Sequence, residues 1–151
     1  MIFMQDSIGY ENVISMRDKF YYLDMKEHLL HFIENVKKIG GHPTRGMFYS
    51  LNNIPMDKIM KVEFFMPIQE SELEIPERMR FHSYFGIEHM MATRVTEDFN
   101  NSTEKAYAMM FELMKEKNLK QVTPPFHMVN RVKGRPVVTI KIGYIEGKSE
   151  E

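Results

Sequence analysis

The hydrophobic positions of this 151-residue chain follow one plan that is met twice. Leu29, Phe32, Ile33 and Val36 stand at i, i+3, i+4 and i+7, which predicts a helix burying one face over KEHLLHFIENVKKIG. Two extended runs follow and read as a hairpin, MFYSL (Met47 to Leu51) and KVEFFMPI (Lys61 to Ile68). A shift of 78 residues brings the plan back. Tyr107, Met110, Phe111 and Met114 then take the four helix positions, FHMV (Phe126 to Val129) the first arm, and TIKIGYI (Thr139 to Ile145) the second. Phe48 falls on Phe126 and Asn52 on Asn130, so one gap-free offset aligns three consecutive elements.

The stretches before the helices are extended in character. Ile8, Tyr10, Val13, Ile14 and Met16 predict one long irregular strand or two short ones, with a bulge at Gly9. Asp24 stands as N-cap with Glu27 three residues on, and Gly40-Gly41 stops the helix. MRFHSYFGIEHMMATRV opens the second copy, where Met79 and Phe81 fall on Met1 and Phe3. Ser102 or Thr103 is the expected cap of the second helix, which is expected to end near Asn118. NNIPMDK and NRVKGRP are the expected turns of the two hairpins.

These elements predict an α+β fold made of tandem, pseudo-twofold βαββ repeats, with a mostly antiparallel sheet and two main helices on one face. The first unit covers 1–68 and the second 79–145, with an acidic, proline-containing linker at 69–78 and a frayed tail at 146–151. Alternation along the last arms puts Val62, Phe64 and Met66 toward the helix, with Ile140, Ile142 and Tyr144 as their counterparts. Glu63 and Phe65, with Lys141 and Gly143, then face the other way. Phe48 and Phe126 are expected to point inward, which places Tyr49 and His127 on the open face.

Composition narrows the function. A hydrophobic share of 43% supports a real core in one domain. The net charge of −1, with no strong bias between halves, argues against direct nucleic-acid binding. No apolar run has the length of a membrane span, and no basic segment leads into an apolar run as in a signal peptide. The absence of cysteine excludes disulfides, thiolate metal sites and a thiol nucleophile, and suits the cytoplasm. The 15 methionines mostly fill apolar faces, although such residues also line adaptable surfaces.

The helix, the arm FYSL, the turn and the run Lys61-Val62-Glu63-Phe64-Phe65-Met66-Pro67-Ile68 together resemble the gyrase-inhibitory-protein-like family. That family is also described as the effector-binding domain of bacterial transcription regulators. Its last strands carry an acid amid hydrophobics and end in Pro-Val or Pro-Ile, and the second copy here, Ile140 to Ile145, lacks both acid and proline. The resemblance implies a duplicated βαββ module. It also implies a small-molecule site in the groove between the halves, where aromatics stack on flat, often cationic, ligands and a carboxylate balances the charge. Regulators of this family carry a separate helix-turn-helix, and no stretch of this chain has room for one, so a stand-alone domain is expected.

Glu63 is the most informative acid, because a carboxylate within an apolar strand needs a partner or a purpose. The plain alternatives are pairing with Lys141 or Lys61, or exposure to water. Tyr49, Phe65 and Tyr84 are candidates for stacking, with core or surface packing as the alternative. The expected ligand-binding set is therefore Glu63, Tyr49, Phe65, Tyr84, His127 and Lys141. Glu88 and His89 are adjacent, so a strand points them to opposite faces. His28 and His31 form an HxxH pair without a third ligand, and surface histidines are the commoner case, so no metal and no cofactor is expected. No phosphate loop, HExxH motif or Ser-His-Asp order is present, and no catalytic residue is assigned. Three functions fit: a binding module for an aromatic or cationic compound, which leads; a hydrolase with Glu63 as general base; and a module docking a partner protein segment in a Met- and Phe-rich groove.

Overall fold

The computed structural model describes residues 1–53 and 57–147. Part of the expected first hairpin loop (54–56) and most of the expected tail (148–151) lie outside the described residues. The elements are β1 (Ile2–Tyr21), a 3₁₀ turn (Tyr22–Asp24), α1 (Met25–Lys38), β2 (Phe48–Leu51), β3 (Ile59–Pro67), β4 (Met79–Val95), α2 (Phe99–Glu116), β5 (Leu119–Gln121), β6 (Phe126–Val132) and β7 (Arg135–Glu146). The fold is α+β, and β1 and β2 each pair antiparallel with β3, as β4, β5 and β6 do with β7. Among the described residues no helix is long and apolar enough to cross a membrane.

Two compact units are present, Ile8–Gly86 and Met1–Ser7 with Ile87–Glu151. They divide β1 and β4 between them, whereas the sequence repeat is counted from the starts of those strands. Contacts and periodicity are different properties of the chain.

In the unit 8–86, β1 lies between β4 and β3, and β3 between β1 and β2. β1 pairs with β3 from Val13 opposite Pro67 to Tyr21 opposite Ile59. The α1 stripe closes over one face. Phe32 and Val36 meet Met16, Val62, Phe64 and Met66 in one cluster, with Leu29 and Ile33 at its margin. The rings of Phe32 and Phe64 stand 5.5 Å apart. α1 ends as its glycines predict: Gly40 takes φ +94°, its N–H reaches Lys37 O at 3.0 Å, and Gly41 N–H reaches Val36 O at 2.9 Å. Asp24 precedes the helix, but its side chain makes no capping bond, because the residue itself belongs to the 3₁₀ turn. The acidic segment after β3 is tied down. Glu70 accepts from His42 N at 2.8 Å, and Leu73 and Ile75 pack on the helix cluster.

In the other unit, β7 pairs with β4, β6 and β5. Tyr107, Met110 and Met114 of α2 pack on Met91, Val95, Ile140, Ile142 and Tyr144. The expected cap at Ser102 or Thr103 is corrected. The helix begins a turn earlier, after Asp98 at φ +47°, whose carbonyl accepts the Ser102 N–H at 2.8 Å. β5 is an addition to the βαββ plan that the sequence pattern did not signal, pairing Leu119–Gln121 with Tyr144–Glu146.

Two further expectations are corrected. The left-handed residue within β1 is Asn12 (φ +54°), not Gly9, and β4 has its own at His89 (φ +64°). Asn and His are among the side chains that tolerate this region. The first arm of the second hairpin also runs beyond Val129 to Val132. There Lys133 (φ +53°) and Gly134 (φ +79°) make the two-residue turn that suits twisted strands.

Candidate functional site

Register decides which side chains share a face. Residues directly opposite in an antiparallel pair point the same way. Tyr49 lies opposite Phe64 and Leu51 opposite Val62, so these four face α1. Phe48 lies opposite Phe65 and Ser50 opposite Glu63, and these four face away. The expected faces of Phe48 and Tyr49 are thus exchanged. Tyr49 sits partly buried against the α1 cluster, its ring centre 6.3 Å from that of Phe64, and burial pushes its phenol pKa up. His127 lies opposite Ile140 and is hydrogen-bonded to the Tyr107 hydroxyl under α2, so it too leaves the open face. Burial pushes the His127 pKa down to about 4. Lys141 is engaged within its own unit, donating to Ser7 O at 2.7 Å and lying 3.3 Å from Asp6 Oδ1.

The face of β1–β3–β2 away from α1 carries an aromatic cluster. Phe48 and Phe65 stack at 4.8 Å with planes 4° apart. Phe85 stands 4.7 Å from Phe65, Tyr10 5.4 Å from Phe48, and His82 5.6 Å from Phe85. Two buried hydroxyls on this face are satisfied: Ser15 Oγ and His82 Nε2 are 2.9 Å apart, and Ser50 Oγ donates to Asn52 Oδ1 at 2.9 Å. His82 is held below its usual pKa by burial first; the charge of Glu63 opposes this and that of Arg80 adds to it. Glu63 is the acid of this face, its side chain 14% exposed. Its partner is neither Lys141 nor Lys61 but Arg17, whose Nε lies 3.6 Å away on a largely exposed side chain.

An open cleft of about 510 Å³ meets the cluster at Tyr10. Tyr10, Glu11, Asn12, Arg45, Gln69 and Tyr84 line much of it. The Arg45 guanidinium lies 5.9 Å from the Tyr10 ring centre. Tyr84 is 64% exposed. Its ring rests over two glycines, for a Cβ on Gly86 would come within 2.4 Å of it and one on Gly9 within 2.7 Å of its hydroxyl. The absence of side chains there gives the ring a flat seat on the backbone.

Of the expected residues, the structure brings Glu63 and Phe65 onto one face and puts Tyr84 in the adjoining cleft. Tyr10, His82, Phe85 and Arg45 were missed. Tyr10 lies in β1, and His82 and Phe85 in β4, strands whose partners the sequence pattern does not reveal, while Arg45 lies in the connection between α1 and β2. Among the described residues, no group of three or more His, Cys, Asp or Glu side chains could hold a metal ion. His28 is turned to Asp18 instead, Nδ1 to Oδ2 at 2.8 Å, and stacks on Phe20 at 4.5 Å.

Comparison with known proteins bears on fold and family. No curated protein matches the chain. Among chains of known structure, 21 match. The EcmrR C-terminal domain superposes with a TM-score of 0.69 at 10% identity, covering 94% of this chain and 97% of that one. EcmrR in an EcmrR–DNA complex gives 0.73 at 12% identity, covering 95% of this chain, which spans 58% of that longer one. A hydrolase from Listeria innocua gives 0.50 at 11% identity, with 93% and 92% covered. At these identities the likeness is one of fold. The expectation that direct nucleic-acid binding is absent is withdrawn, since a protein of this fold is seen in a complex with DNA. The gyrase-inhibitory-protein-like label is likewise narrower than these likenesses. A family model described as a domain of unknown function, DUF5085, matches residues 9–145. The chain belongs to the DUF5085 family.

Proposed function

We propose that this chain is a small-molecule-binding domain of the effector-binding kind, taking a flat aromatic compound. The site proposed is the aromatic face of the unit 8–86 with its adjoining cleft. The observation that carries the reading is the continuous aromatic run from Tyr10 through Phe48 and Phe65 to Phe85, with the carboxylate of Glu63, 14% exposed, on the same face. Tyr10, Tyr84 and Phe85 offer ring faces at its accessible edge, and a flat ligand gains stacking there. Glu63 supplies negative charge, and its contact with the exposed Arg17 is of the weak, solvent-screened kind. A cationic ligand is therefore favoured over a neutral one of the same shape. The likeness in fold to the EcmrR C-terminal domain accords with a binding role. Tyr49 and His127 belong to the helix-side cores and are left out of the proposed site.

Thermal-shift measurements with 9-aminoacridine, cationic at neutral pH, and with its neutral analogue acridine test this. Binding to the folded state raises the melting temperature as ligand exceeds Kd. A rise with both, larger for the cation and reduced in Tyr84→Ala and Phe85→Ala, is the expected result. No shift with either compound at millimolar concentration overturns it.

A further inference from the structure

The β6–β7 hairpin holds a feature that the overall charge conceals. Between Lys117 and Ile145 the chain carries six cations and no acid, in a protein of net charge −1, which leaves the rest of it at −7. Three of the six, Arg131, Lys133 and Arg135, crowd the end of one hairpin, where every residue from Val129 to Pro136 is exposed. Among the described residues none of the three has an ion-pair partner. Arg131 only folds over the turn, donating to Gly134 O at 3.1 Å. Val129 and Val132, 45% and 52% exposed, show that this arm projects beyond its core.

Register places the charges. Arg131 lies opposite Pro136 and Val132 opposite Arg135, so the two arginines point to opposite faces of the ribbon. Lys133 occupies the tip, in the two-residue turn described above. A flat anionic surface, such as a membrane, would engage one face and leave the other cation in solvent. A ribbon charged on both faces and at its tip instead fits between two anionic walls. The major groove of duplex DNA is such a place: about 12 Å wide and 8.5 Å deep, it admits a two-stranded ribbon between its phosphate backbones. Four residues per strand beyond Met128 give a reach of roughly 13 Å.

We infer that the β6–β7 arm is a docking element for duplex DNA, contacting phosphates on both walls of the major groove. The contact is electrostatic and sequence-independent, and it is separate from the small-molecule site, so either stands without the other.

Fluorescence anisotropy with the whole protein and a labelled duplex of arbitrary sequence tests it. Three phosphate contacts predict a log–log salt slope of about −2.7, a weakening of about 40-fold between about 50 and 200 mM salt. The combined variant Arg131→Gln, Lys133→Gln, Arg135→Gln is expected to keep the wild-type melting temperature and lose at least about tenfold in affinity at the lower salt. Should that variant fail to fold, Lys133→Gln alone is expected to flatten the slope by about 0.9. The inference is overturned if the wild type leaves the duplex unbound at low salt. It is equally overturned if the folded variant binds as the wild type does, or if the protein takes up phosphatidylserine vesicles but not the duplex.

Discussion

The Tyr107 hydroxyl and His127 Nε2 are hydrogen-bonded beneath α2, inside the core of their unit. The pair ties a helix to a strand through two polar groups in an apolar layer, where an unpartnered group would be costly. It also makes that layer sensitive to acid. The folded His127 pKa is about 4 against an ordinary 6.5, so the unfolded chain binds a proton that the folded one resists. The associated stability is complete above pH 6.5 and drains away as pH falls toward 4, by about 2–3 kcal/mol at pH 4.5. Urea melts of wild type and His127→Gln at neutral pH and at pH 4.5 isolate this term from the carboxylates. The wild type is expected to lose more on acidification than the variant, and parallel losses would contradict it.

Phe64 is fully buried, between Phe32 of α1 and Phe20 of β1 at ring distances of 5.5 and 6.1 Å. Phe64→Ala is expected to destabilise by about 3–5 kcal/mol, the usual result of emptying such a site. Denaturant melts check this, and a loss below about 1 kcal/mol would contradict the α1-side assignment of β3.

Gly86 is where a single methyl should act on the cleft rather than on the core. Its Cβ would lie 2.4 Å from the Tyr84 ring, and that ring is mostly solvent-exposed. Gly86→Ala is therefore expected to unseat Tyr84 at a stability loss under about 1 kcal/mol. Acridine binding should weaken in Gly86→Ala as it does in Tyr84→Ala, by about three- to tenfold, the worth of one ring contact. A Gly86→Ala protein that binds like wild type would separate Tyr84 from the site.

What the sequence discloses here follows from periodicity. The helix stripes and the inward set Val62, Phe64, Met66 were legible because each has one face in a core and the other in a different environment. β2 was not legible in that sense. Phe48, Ser50 and Leu51 are buried on both faces, so hydrophobicity could not say whether Phe48 or Tyr49 meets the helix. Only pairing with β3 decides, and a one-residue shift reverses every side chain. The same ambiguity misplaced His127 in β6. Arg17 escaped notice as the partner of Glu63 because it lies across a strand pair whose register is not written locally. The basic arm was hidden for another reason: six cations in one stretch are cancelled in a net charge of −1.

The most direct test of the central claim is calorimetric titration of 9-aminoacridine and acridine against wild type and Glu63→Gln. The wild type is expected to bind both, the cation more tightly. Glu63→Gln is expected to remove most of that preference, about tenfold for a partly screened carboxylate, while leaving acridine affinity unchanged. Failure of the wild-type protein to bind either compound, or equal affinities for both that Glu63→Gln leaves untouched, would contradict the account.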